Sequence, residues 1–354
     1  PAAGPMRIHL GHHFYGAGNL GDDLMLAGFL RALREMEPGA EVTGAVPFDR
    51  DALKRRFPGT RWHGMDVAER RAGIAACDAW LGLGGSPFQH AQSRWFVDHL
   101  AEEAALCREL GKPMWFLGIG VQAEGELEDP TVRAVCSQAR GIWTRDAASA
   151  RRLRSSGAST HAAAAADLAH LFLEHNQPPS VQPGSVAVVA NFDYGDWPGR
   201  DAALAAIEAT RPKRKIWLAQ ESRELPGAER ALFAALPPEQ QCEWELVSPD
   251  DPGAALEKTL ARWPGAELLL TSRYHAAITA AWAGSRVVVI GINEKLRGAA
   301  EELGTPLIGP GAERAEVERA LQSALVHPAP RHLASAARAA CEDWHAAASR
   351  RITP

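Results

Sequence analysis

Arg273 and His275 stand two residues apart in the run Thr271-Ser272-Arg273-Tyr274-His275. A guanidinium offers a planar fork of donors suited to phosphate or carboxylate, and an imidazole exchanges a proton near neutral pH. The pair suits anion binding joined to acid catalysis. The plainer reading pairs Arg273 with a surface carboxylate and leaves His275 as a cap on the helix that follows. Trp143-Thr144-Arg145-Asp146 repeats the theme, with Asp146 at an N-cap position; its plainer reading is an Arg-Asp surface pair. Lys295, in Gly291-Ile292-Asn293-Glu294-Lys295, either reaches the same anion as Arg273 or stands solvated at a helix start.

Gly16-Ala17-Gly18-Asn19-Leu20-Gly21 matches the G-x-G-x-x-G pattern of dinucleotide sites. Asp22 and Asp23 follow at once, where a pyrophosphate would have to sit, and like charges there disfavour NAD. The glycines then make a turn, with Asp22 either capping the helix or facing a substrate. Gly84-Gly85-Ser86 and Gly118-Ile119-Gly120-Val121-Gln122 allow close backbone approach to a ligand, although glycine also serves turns. His9, His12 and His13 have no ligand spacing, so no zinc site is expected. Pro87 and Phe88 after Ser86 exclude a serine-hydrolase elbow. The basic run Arg211-Pro212-Lys213-Arg214-Lys215 reads as a solvated face or as a dock for an anionic headgroup. Among 11 Trp residues most should fill cores, leaving one or two to stack on sugar rings.

These residues need strand-to-helix turns to carry them. The pattern predicts strands at Met6–Gly11, Ala79–Leu83, Pro113–Leu117 and Gly141–Thr144, and helices at Asp22–Met36, Trp95–Leu110 and Asp146–Ser156. Glu174–Gly184, with three prolines and no periodicity, reads as a linker. Strands resume near Val186–Asn191, Lys215–Ala219, Glu243–Val247, Glu267–Thr271 and Arg286–Ile290, with a helix at Ala276–Ala283 and an alanine-rich one at His332–Arg350. The fold class is therefore α/β, with two Rossmann-like lobes facing a cleft: 1–177, 178–327, and a C-terminal helix in 328–354 packing back on the first lobe. Ligands of such sheets bind beyond the carboxyl ends of the strands, where all the loops above fall.

The 354 residues suit two domains, and 46% hydrophobic with 23% charged residues is ordinary globular composition. A net charge of -5 gives no general attraction to nucleic acid. Five scattered cysteines with no C-x-x-C pair fit a reducing, cytoplasmic setting. Pro1–Pro5 lacks the basic-then-apolar pattern of a signal peptide, and no apolar run approaches the roughly 20 residues of a membrane span.

Taken in order, Gly18-Asn19-Leu20-Gly21-Asp22-Asp23, Gly84-Gly85-Ser86, Gly118-Ile119-Gly120, Thr144-Arg145-Asp146 with Ser149 and Leu153, Asp167, Arg273-Tyr274-His275 and Asn293-Glu294-Lys295 resemble the polysaccharide pyruvyl transferase family. The resemblance runs from about Met6 to about Gly304. It implies a fold like the two-lobed B-type glycosyltransferases. The reaction implied is transfer of the carboxyvinyl carbons of phosphoenolpyruvate to two hydroxyls of a saccharide, giving a pyruvate ketal and phosphate. It further implies His275 as the acid for the methylene carbon, Arg273 beside it, and Asp22 acting on the acceptor hydroxyls. The donor is expected against Arg145, Arg273, Lys295, Ser272 and Gly120, and the acceptor against Gly18, Asn19, Asp23, Gly85 and Ser86. No metal or cofactor is expected beyond phosphoenolpyruvate as co-substrate. The acceptor would be a cell-envelope saccharide, lipid-linked if the protein meets the inner membrane surface.

One position departs from the family. Where an arginine commonly follows the first strand of the second lobe, this chain reads Asn191-Phe192-Asp193-Tyr194-Gly195-Asp196-Trp197, which trades a cation for acids and weakens a dianion site. A glycosyltransferase with a nucleotide-sugar donor and a non-catalytic saccharide-binding protein are the alternatives on the same fold. The sequence leaves the acceptor sugar and the oligomeric state open.

Overall fold

Strands separated by helices cannot pair as hairpins, and each crossover returns the chain in the same direction, so parallel sheets follow from the alternation itself. The computed structural model describes residues 4–350 except 12, 48, 91–92, 193–194 and 327–329, with the backbone alone at 124. The expectations on His12, Asp193 and Tyr194 lie outside the described residues. Two compact units divide the chain. The first comprises 1–17, 22–172 and 333–354; the second comprises 173–332 and the short stretch Gly18–Gly21.

The first sheet contains β1 (Arg7–Leu10), β2 (Glu41–Ala45), β3 (Thr60–His63), β4 (Ala79–Leu83), β5 (Met114–Ile119), β6 (Ile142–Thr144) and β7 (Ala162–Ala164). Between them lie α1 (Leu20–Met36), α2 (Arg50–Arg56), α3 (Val67–Ala76), α4 (Trp95–Glu109), α5 (Pro130–Gln138) and α6 (Ala147–Ser155), with α7 (Ala169–Leu173) following. The strand order is β3-β2-β1-β4-β5-β6-β7, all parallel, with Ile8 opposite both Val42 and Ala79. All six residues of β5 are buried, as a central parallel strand covered on both faces must be. Gly111 and Gly157 take φ of 64° and 71° just past α4 and α6, the left-handed geometry that ends a helix.

The second sheet contains β8 (Gln182–Val189), β9 (Arg214–Leu218), β10 (Glu245–Val247), β11 (Ala266–Thr271), β12 (Arg286–Ile290) and β13 (Leu307–Ile308), in the order β10-β9-β8-β11-β12-β13 and again all parallel. Its helices are α8 (Arg200–Ala209), α9 (Glu229–Ala234), α10 (Pro238–Gln241), α11 (Leu256–Ala261), α12 (Tyr274–Trp282), α13 (Glu294–Leu303) and α14 (Arg314–Val326). One core joins Val188, Leu270 and Val288 of the sheet to Leu204, Ile207 and Leu321 of α8 and α14. Each sheet thus reverses its winding once, between β1 and β4 in the first and between β8 and β11 in the second. Ligand crevices of parallel sheets form at such points.

α15 (Ala334–Ser349) belongs to the first unit. Trp344 meets Phe29 of α1 edge-on at 5.4 Å, Arg338 pairs with Glu35 at 2.7 Å, and His345 lies 3.2 Å from Glu37.

Several boundaries differ from the sequence pattern. α1 begins at Leu20 and α12 at Tyr274, so Asp22 lies inside the first turn and His275 within the helix. β8 starts at Gln182, inside the stretch read as a linker, because Pro183 needs no ladder donor at a strand's first residues. β2, β3, β7 and β13 escaped the pattern: they are two to five residues long, and the all-alanine β7 has little intrinsic strand preference.

Candidate functional sites at the two strand-end clusters

In the second unit the chain leaves β11 through Ser272 into Arg273, the N-cap position of α12. The Thr271 hydroxyl donates to Val189 O at 2.9 Å and accepts the Arg273 backbone N–H at 2.9 Å, which fixes the turn. Ser272 Oγ accepts the Asn191 N–H at 2.7 Å and donates to Asn191 O at 2.7 Å. That hydroxyl ties β11 to the end of β8, so Ser272 braces the crevice. Arg273 Nη2 donates to Asn19 Oδ1 at 3.1 Å and lies 3.3 Å from Glu221 Oε2, while its Nε lies 3.4 Å from Glu229 Oε1. Arg223 holds the other side of Glu221, with Nε to Oε1 at 2.8 Å and Nη2 to Oε2 at 3.1 Å. Glu221 and Glu229 are buried, and burial pushes the Glu229 carboxyl's pKa up against the opposing pull of Arg273.

Gly18 and Asn19 belong to this cluster by structure. Gly18 O accepts the Ser222 N–H at 2.8 Å, and a Cβ on Gly18 would collide with Ser222 Oγ. Asn19 Oδ1 accepts the Gly21 N–H at 3.2 Å, a side-chain cap at the start of α1. With its oxygen on Gly21 and Arg273, Asn19 orients the guanidinium. A Cβ on Gly21 would fall inside the His275 ring. The last glycine of the G-x-G-x-x-G run therefore makes room for an imidazole, a steric need unrelated to a pyrophosphate. His275 itself is buried, with Tyr274 edge-on at 5.2 Å. Lys295 Nζ sits 5.3 Å from the Tyr274 ring centroid, a cation–π contact.

In the first unit Arg145 follows β6 and is 1% exposed. Its Nη2 donates to Ser86 Oγ at 2.9 Å, and Asp146 Oδ2 lies 3.9 Å from its Nε. Asp146 caps α6 by accepting from Ser149 N at 2.6 Å, the N-cap read from the sequence, and Ser149 Oγ accepts the Val121 N–H at 2.9 Å. A Cβ on Gly120 would overlap the Arg145 guanidinium, and one on Gly85 would overlap the His13 ring. These glycines seat side chains, while Gly120 N donates to Gly85 O at 2.8 Å and joins the two loops. The Glu126 carboxyl accepts the Gln122 N–H at 3.1 Å; burial raises its pKa, with His90 and Arg145 acting in opposition.

Asp23 is engaged within its own unit. Its carboxylate and the Arg56 guanidinium are both fully buried, 2.8 Å apart, and Asp23 Oδ1 also accepts the Gly16 N–H at 2.7 Å. The charge is used inside the unit to hold the glycine loop. Asp22, 7% exposed, occupies the first turn of α1.

Other sequence expectations resolve similarly. Two cations of the basic run face carboxylates: Lys215 with Glu208 at 2.5 Å and Glu243 at 2.7 Å, Arg214 with Glu245 at 2.6 Å. Trp95, 37% exposed, is the tryptophan most open to solvent among the described residues, most of the others being core. Among the described residues no His, Cys, Asp or Glu group has metal-binding geometry, and no helix is long and apolar enough to cross a membrane. Sequence reading missed Glu221, Arg223, Glu229 and Glu126. Gln220-Glu221-Ser222-Arg223 directly follows a strand in which all but the first residues are buried, the same signal that exposed Arg145 and Arg273. Nothing in the sequence marks Glu229 as buried.

Two parallel sheets with interleaved helices, each with a winding reversal and a cationic strand end, define a protein built of two Rossmann-like lobes. Solved structures share this fold. A UDP-GlcNAc 2-epimerase from Methanocaldococcus jannaschii superimposes with a TM-score of 0.64 at 12% identity, covering 96% of this chain and 99% of that one. Anabaena Alr3699/HepE in complex with UDP and glucose gives 0.59 at 13%, covering 98% of each. UDP-GlcNAc 2-epimerase from Neisseria meningitidis bound to UDP-GlcNAc gives 0.60 at 10%, covering 96% and 100%. Among curated proteins none matches the sequence. The family model for polysaccharide pyruvyl transferase matches residues 19–294, and the chain belongs to that family of transferases.

Proposed function

We propose that this protein transfers the carboxyvinyl group of phosphoenolpyruvate to two hydroxyls of one saccharide. The observation that carries this reading is the Arg273-Tyr274-His275 element at the β8/β11 reversal, with the His275 ring seated on Gly21 in the first turn of α12. His275 delivers a proton to the methylene carbon, which makes the neighbouring carbon electrophilic; acid catalysis of this kind contributes roughly 10²- to 10⁴-fold. Two C–O bonds then form to that carbon as its bond to the phosphate oxygen breaks. Of the two hydroxyl protons lost, one balances the new methyl hydrogen and the other leaves with phosphate. Arg273 and Lys295 are fixed positive charges for a donor bearing both phosphate and carboxylate. Asp22 takes a proton from an acceptor hydroxyl.

Incubation with phosphoenolpyruvate and cell-envelope glycans is expected to release phosphate in step with a carboxyethylidene mass gain on the glycan. Normal turnover by His275→Asn would overturn the assignment of the acid.

A nucleotide-sugar donor is the second reading. It is favoured by the stretch Asn191 to Trp197, which lacks the arginine the family commonly carries there, and by the two carboxyls on Arg273, which suit a less densely charged donor. The Anabaena protein bound to UDP and glucose shows this fold accepting such ligands. Thermal protection by UDP-GlcNAc without protection by phosphoenolpyruvate is the result that would select it.

A further inference from the structure

Arg273 is a peculiar anion clamp, because two carboxyls already lie on it. Glu221 Oε2 is 3.3 Å from Nη2 and Glu229 Oε1 is 3.4 Å from Nε. The two acids differ in what else holds them. Glu221 shares its charge with Arg223, whose guanidinium reaches both of its oxygens. Glu229 is wholly buried in the first turn of α9, and among the described residues its ionic partner is Arg273. The neighbouring Arg230 is turned to Ser248, with Nη2 to Oγ at 2.7 Å. When an anion settles on Arg273, the positive charge facing Glu229 is shared with it, and a second negative charge at a buried position becomes costly.

We propose that Glu229 is a positioning residue that holds Arg273 as a carboxylate in the empty site and takes up one proton from solvent when the anionic donor binds. The bond formed is Glu229 O–H; no covalent bond of the donor changes. Burial biases Glu229 toward its protonated form and Arg273 biases it away, so weakening the latter tips the balance. The charged groups facing Glu229 are Arg273 and Glu221, with Arg223 behind Glu221. Glu221 is the other carboxyl on Arg273, and His275 stands on the same turn as Arg273. The inference rests on the proposed use of Arg273 as donor clamp, and its consequence is that donor affinity falls as pH rises.

The test is calorimetric titration of the full chain with phosphoenolpyruvate in buffers of different ionisation enthalpy. It is run above about pH 7.5, where a phosphoryl group with a second pKa near 6 is already fully ionised. Wild type should take up close to one proton per donor bound, and its Kd should weaken by up to about tenfold per pH unit. Glu229→Gln, the neutral isostere, should bind roughly tenfold more tightly at the upper end of the range, with a pH-independent Kd and no proton uptake. Uptake that persists in Glu229→Gln overturns the proposal and places the proton on another group of the cluster. Wild type binding without uptake overturns it whether or not the variant folds. If inorganic phosphate binds and phosphoenolpyruvate does not, the donor reading fails, and the phosphate titration decides the Glu229 proposal on the same criteria. Failure of both anions to bind overturns the two together.

Discussion

Arg145, after β6, lays its Nη2 2.9 Å from the uncharged hydroxyl of Ser86, whereas Arg273, after β11, is met by the carboxyls of Glu221 and Glu229 and by Asn19. Both arginines close a strand next to a helix N-terminus, and each has a glycine close by in its cluster, Gly120 against the Arg145 guanidinium and Gly21 against the His275 ring. The same local device therefore yields two electrostatic settings. The second-unit cluster sets two guanidiniums against two carboxyls, so any anion there competes with internal acids. In the first unit Asp146 lies 3.9 Å from Arg145, with its carboxylate engaged by Ser149, and the competition is weaker. The position of a cation is a matter of strand ends; its strength is a matter of what other segments bring to it.

The comparison can be broken at its chemical end first. His275→Asn should lower product formation roughly 10²- to 10⁴-fold with donor affinity nearly kept, measured by phosphate release and by calorimetry. An equal loss on substituting a first-unit residue such as Ser86→Ala would erase the distinction between a reacting cluster and a holding one.

A second test separates the units by stability. Asp23→Ala leaves the buried Arg56 guanidinium without its carboxylate and should cost about 3–5 kcal/mol, read as a fall in Tm and as lost amide protection in β1 and β4. Protection in β8 and β11 should hold; a uniform loss would show that the two units unfold as one.

Acid should also single out the first unit. His9 is buried against Thr43 Oγ1 at 2.9 Å and stacks on His63 at 5.0 Å, with Glu103 near it; burial lowers its pKa from 6.5 to about 4. The folded state thus keeps the ring neutral where the unfolded chain would protonate it. Its contribution is complete above pH 6.5 and drains away as pH falls toward 4, by roughly 3 kcal/mol at most. Denaturant unfolding between pH 7 and 4 should show that slope, and His9→Phe should flatten it. An unchanged slope in the variant would move the effect elsewhere.

The smallest expected effect sharpens the steric half of the comparison. Gly120→Ala must push the Arg145 guanidinium aside, and a displacement near 1 Å at a positioning group costs up to about 10²-fold in turnover. Gly85→Ala moves His13 instead and should cost less. The reverse order would make His13 the more important neighbour of the reaction.

By itself the sequence determined the alternation of strands and helices, the α/β class, the strand-end positions of Arg145 and Arg273, and membership in a recognisable ordered set of motifs. These are local properties: apolar runs, glycine closures and residues at the carboxyl ends of strands repeat within a few positions of one another. It did not reveal that Asp23 is spent on Arg56, that Asn19 holds Arg273, or that Glu229, 44 positions before Arg273 in sequence, is buried beside it. Those facts were decided by tertiary structure, because the charge state of a side chain depends on desolvation and on partners that only packing assembles.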